Sequence, residues 1–126
     1  MATDCFIVFI KTDKSLREVA KEVGRVTGLA LLPSRLGFRE SYTARLLSMD
    51  AEIIVSAGHG FVADGDLDFP SYQIDVHVGP IEYESNHDGP LLAVARKLAG
   101  HFSNDIGCAT MVTEDVCRVI ERLKGR

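Results

Sequence analysis

The stretch SYQIDVHVG, residues 71–79, alternates strictly. Tyr72, Ile74, Val76 and Val78 fall on one side, and Gln73, Asp75 and His77 on the other. A period of two marks a β-strand with one face against a core and the other polar or wet. Such a strand is not stable alone. It needs neighbours in a sheet and an apolar layer against Ile74, Val76 and Val78.

The remaining chain offers both. CFIVFIKT (5–12) is short, aromatic and β-branched, and apolar on both faces through Ile10. That pattern fits an interior strand. SYTARLLSM (41–49) and AEIIVSAG (51–58) form two more strands, and the short MDA link between them suggests a hairpin. CATMVT (108–113) is a further strand, whereas 29–40, broken at Pro33 and Gly37, is expected to be a loop.

Three helices are expected. Ser15 with Glu18 forms a capping box ahead of a stripe at Leu16, Val19, Ala20, Val23 and Val26 or Thr27, and Gly28 stops that helix. Asp88-Gly89-Pro90 opens a second, striped by Leu92, Ala95, Leu98 or Ala99, and Phe102. Thr113 caps a last one, with Val116, Val119, Ile120 and Leu123 on one side and Gly125 at its end. The resulting order is β-α-β-β-β-α-β-α. It suggests one α+β domain over residues 1–126, a ferredoxin-like sandwich. The sheet would be mainly antiparallel, of four to five strands, with helices on one face. The opposite face, carrying Asp75 and His77, would be partly open.

Charge is segregated along this chain of 126 residues and net charge −4. From Leu46 to Ala95 there is no lysine or arginine. The same span holds Asp50, Glu52, Asp64, Asp66, Asp68, Asp75, Glu82, Glu84 and Asp88. Such a field repels nucleic acid and membrane surfaces and steers basic proteins inward. The opening MATDCFIVFIKTD has no basic region ahead of its apolar run, and the run is too short for a signal segment or a membrane span. A cytoplasmic location is therefore expected. Cys5, Cys108 and Cys117 are odd in number and lack CxxC spacing, as free thiols in a reducing compartment would be.

GHGFVADGDLDFPSYQIDVHV (58–78) concentrates the candidate functional residues. Asp64, Asp66 and Asp68 match the first three positions of a calcium loop, but Phe69 stands where glycine is needed and Asp75 where a bidentate glutamate is needed. His59 and His77 lack the spacing of a zinc motif, so no metal or other cofactor is expected. Asp75 and His77, two apart on one face, could form an acid/base pair. Nucleophilic catalysis finds no elbow motif, and the cysteines lie on apolar elements. SAGHG (56–60) leads to a loop and not to a helix that could hold phosphate. Phe69 and Tyr72 among the acids suit aromatic anchors inside a charged rim, the composition of a protein interface.

Several of these residues also carry a family likeness. His59-Gly60, Asp64-Gly65-Asp66, Phe69, Tyr72 and Ile74-Asp75-Val76 are followed by a Leu/Ala-rich helix (91–102), a strand (108–112) and Thr-Glu-Asp opening the last helix. Over residues 45–123 this order resembles immunity proteins of bacterial polymorphic or contact-dependent toxin systems. The resemblance implies a non-enzymatic protein that binds and neutralises a cognate toxin acting in the cytoplasm, and it carries over no catalytic residue. With the charge pattern, it points to a toxin with a basic binding surface, met by His59, Asp64, Asp66, Asp68, Phe69, Asp75, His77, Glu82 and Glu84. The chain itself is expected to be a monomer or weak homodimer. Two alternatives stand beside this. One is a small metal-binding or acid/base enzyme using His59, Asp75 and His77. The other is a ferredoxin-like regulatory or dimerisation module that pairs through a sheet edge.

Overall fold

The computed structural model describes residues 5–36, 39–46, 51–57, 71–80, 88–114 and 118–125. The described elements run in chain order as β1 (Phe6–Lys11), α1 (Leu16–Thr27), β2 (Leu32–Leu36), β3 (Arg39–Leu46), β4 (Ala51–Ala57), β5 (Ile74–Pro80), α2 (Asp88–Gly100), β6 (Ala109–Glu114) and β7 (Arg118–Leu123). A π-helical segment, His101–Ile106, prolongs α2. The strands form one seven-stranded sheet in the order β2-β3-β4-β5-β1-β6-β7. Every neighbouring pair is antiparallel.

The α+β class and the antiparallel sheet agree with the sequence, but the expected four to five strands become seven. Two segments account for the difference. Residues 29–40 are not a loop throughout: Leu32–Leu36 pairs with β3 as the outer strand of a hairpin. An edge is where Pro33 is tolerated, because its missing N–H costs no interior ladder bond. The expected C-terminal helix is instead β7, paired with β6. Val112 lies opposite Glu121 and Thr113 opposite Val119, so Ile120 is an extra residue at a bulge. Ile120 and Leu123 thereby both pack on the helix side, while Val119 packs on the other. A spacing of three on one face imitates a helix, although a bulged strand produces it.

α1 begins where its capping box predicts. The Glu18 backbone N–H donates to Ser15 Oγ (3.1 Å), and the Ser15 backbone N–H donates to Glu18 Oε1 (3.2 Å). The Ser15 backbone N–H, and then the Ser15 hydroxyl, hold the Glu18 carboxyl below its usual range. Gly28 closes the helix in the left-handed region, φ 75°, a conformation that glycine adopts without steric cost. α1 buries Val19, Ala20 and Val23 over β3 and β4. α2 lies over β1, β5 and β6 and buries Leu91, Ala95, Leu98 and Ala99, with Phe102 following in the π-helical segment. Leu91, rather than the expected Leu92, is the fully buried leucine at the start of that stripe. His101 ties α1 to the π-helical segment: its Nε2 meets Glu22 Oε2 and its Nδ1 meets Asp105 Oδ2, each at 2.9 Å. Arg25 and then His101 hold Glu22 below the usual carboxylate range against the opposing effect of burial.

β1 is interior, as its two apolar faces predict. Phe6, Val8 and Ile10 join the core beneath the helices, while Ile7 and Phe9 form a second cluster with Met111 on the opposite face. Burying each of these side chains contributes roughly 1.5–3 kcal/mol. No helix among the described residues is long and apolar enough to cross a membrane.

Candidate functional site on the helix-free sheet face

Register places the side chains of the face away from the helices in rows. One row holds Glu52, Gly79 and, next along, Cys5. The next holds Thr43, Ile54, His77, Ile7 and Thr113. A third holds Ser41, Ser56, Asp75, Phe9 and Met111. Asp75 and His77 are therefore neighbours along β5 with their side chains on one face, as the alternation requires.

Contacts link these rows into a chain of polar groups. His77 Nε2 and Asp75 Oδ2 lie 2.8 Å apart, and Ser56 Oγ donates to the same oxygen at 3.3 Å. On the other side of the ring, His77 Nδ1 faces Cys5 Sγ at 3.9 Å. Asp75 is fully buried, whereas 27% of the His77 side chain remains exposed. Cys5 is half-buried. Burial works against a charge on His77. The hydrogen bond to Asp75, the contact with Cys5 and their charges outweigh it, and the imidazole is pushed up to about 9. At neutral pH both ring nitrogens then carry protons, so Nε2–H donates to Asp75 and Nδ1–H points at the sulfur.

The partly open polar face expected from the sequence is thus closed at its centre. Asp75 lies inside it, and Ile7, Phe9 and Met111 are buried beside it. Tyr72 is also on this side, against expectation: its ring meets Phe9 edge-on at 6.3 Å. It lies before β5 begins, so the strand's alternation does not extend to it. His59, Asp64, Asp66, Asp68, Phe69, Glu82 and Glu84 lie outside the described residues. Among the described residues no three histidine, cysteine or acidic side chains are grouped to hold a metal ion.

Cys5 is the residue that sequence reasoning missed. By sequence it groups with the other thiols on apolar elements. Its contact with His77 spans 72 positions and arises because Phe6 pairs with Val78, which sets Cys5 beside Gly79. A Cβ on Gly79 would lie 2.8 Å from Cys5 Cβ, so glycine at that position makes room for the cysteine. Comparison with family models, curated proteins and solved structures finds no match to this chain.

Proposed function

We propose that this chain is an immunity protein that binds and neutralises a basic toxin acting in the bacterial cytoplasm, and that it is not itself an enzyme. The observation that carries the reading is the span without lysine or arginine from Leu46 to Ala95. It supplies β4 and β5, which are neighbours in the sheet, together with the segments that leave them. The nearest cations in sequence, Arg45 and Arg96, lie at the borders of that span. A concentrated negative field of this kind speeds encounter with a positive surface and selects against anionic partners.

Asp75 is buried and bonded within the sheet face, so the proposed charged rim draws on Asp64, Asp66, Asp68, Glu82 and Glu84, together with His59 and Phe69. The two acidic segments are attached at opposite ends of β5. Residues 58–70 follow Ala57, which pairs with Ile74, while residues 81–87 follow Pro80, which pairs with Ala51. At about 3.3 Å per residue these attachment points are roughly 20 Å apart. One standard interface can span that distance. The fold reading that accompanies the proposal is a ferredoxin-like sandwich: the run β4-β5-β1-β6 with both helices on one face follows that order, widened by the β2–β3 hairpin and β7.

Separate reversals test the proposal: Asp64, Asp66 and Asp68 to lysine in one variant, Glu82 and Glu84 to lysine in another. Each should weaken toxin binding chiefly by slowing association, and the effect should shrink in high salt. If all five reversals together leave binding and protection intact, the acidic surface is not the binding surface.

A further inference from the structure

We propose that Cys5 is a reactive thiol whose site is completed by His77 and Asp75, and that it takes a hydroperoxide as its electrophile. The inference goes beyond partner binding and does not depend on it. Its basis is the order of groups across the helix-free face: sulfur, imidazole, buried carboxylate. Sγ faces Nδ1 at 3.9 Å, Nε2 meets Oδ2 at 2.8 Å, and Ser56 Oγ steadies that same oxygen at 3.3 Å. A third group that orients the base is the arrangement that activates nucleophiles on unrelated folds. The thiolate is the attacking form of a cysteine, and Nδ1 is the ring atom that faces this sulfur.

Access and contrast support the assignment. Cys5 is half-buried, while Cys108 is buried in the core beneath the helices. Gly79 opposite Cys5 leaves the space in which the cysteine sits. Glu52 lies across Gly79 from Cys5, and Asp75 lies beyond His77. Acidic surroundings repel anionic electrophiles. A hydroperoxide is neutral and meets this condition.

The step balances with the groups present. Cys5 Sγ, as thiolate, attacks the terminal oxygen of the hydroperoxide. The S–O bond forms as the O–O bond breaks, and sulfur gives up two electrons to become a sulfenic acid. The departing oxygen takes the proton from His77 Nδ1 and leaves as water or alcohol. His77 is left neutral and still bonded to Asp75.

The test treats the whole protein with hydrogen peroxide and dimedone, a sulfenic-acid trap, and follows each cysteine by peptide mass spectrometry. The same chain unfolded in urea serves as the reference for an unactivated thiol. In the folded protein Cys5 should be labelled roughly tenfold faster than in the unfolded chain, and Cys108 more slowly. His77→Gln and Asp75→Asn variants with native circular dichroism should return Cys5 to the unfolded rate. A folded wild-type Cys5 no faster than its unfolded counterpart overturns the proposal without recourse to any variant. So does full reactivity in folded His77→Gln.

Discussion

His77 is held by a charge balance that links protonation to stability. Its pKa rises from 6.5 to about 9 on folding, with burial opposing and the Asp75 and Cys5 contacts prevailing. A pKa raised on folding stabilises fully below the unfolded value, and that stabilisation is lost as pH rises through the folded value. The window is therefore pH 6.5 to 9, and the contribution is on the order of 3 kcal/mol. Urea denaturation across this window should show wild type losing stability relative to His77→Gln, with the gap between them narrowing toward pH 9. A gap that stays constant over the window would show that the imidazolium is not what Asp75 holds. At this scale the sequence was half informative. Alternation placed Asp75 and His77 together, because period two is a local property. Cys5 was invisible, because its neighbour is set by the pairing of β1 with β5 and not by spacing.

Among the elements, α1 was legible end to end because its signals are local: Ser15 and Glu18 satisfy each other's backbone groups, and Gly28 takes the left-handed cap. Ser15→Ala should cost about 1 kcal/mol in urea denaturation, since one orphan N–H of the first turn loses its acceptor. β2 and β7 were not legible for different reasons. Pro33 suggested a breaker, yet an edge strand tolerates it. The bulge at Ile120 gave β7 the spacing of a helix. β5 carries a sharper test of packing. Gly79→Ala would place a methyl group 2.8 Å from Cys5 Cβ. Overpacking of this kind costs roughly 1–3 kcal/mol, so the urea midpoint should fall with an unchanged slope. An unaltered midpoint would mean that β1 and β5 can part at this row without penalty.

Across the whole molecule, the sheet joins two kinds of information. The apolar pattern required helices on one face, and Val19, Val23, Leu91, Ala95 and Leu98 do pack there. The two apolar faces of β1 pointed to burial of Ile7 and Phe9, but not to a face closed at its centre by Ile7, Phe9 and Met111 together. Three residues on two strands carry too short a signal until the strands are placed side by side. Charge segregation is the feature that the sequence displays most openly, and β4 and β5, both inside that span, are neighbours in the sheet. The acids most directly invoked in binding are those of the segments at the two ends of β5. The central claim is that they meet a basic toxin. The most direct measurement is the affinity of the purified chain for a basic toxin domain, sought first among the products of neighbouring genes, taken at low and high salt with wild type and with Asp64, Asp66, Asp68, Glu82 and Glu84 all reversed to lysine. The account predicts tight association that weakens with salt and drops at least about a hundredfold on reversal, as loss of steering and of close charge pairs implies. Absence of binding, or binding indifferent to both salt and reversal, would contradict it.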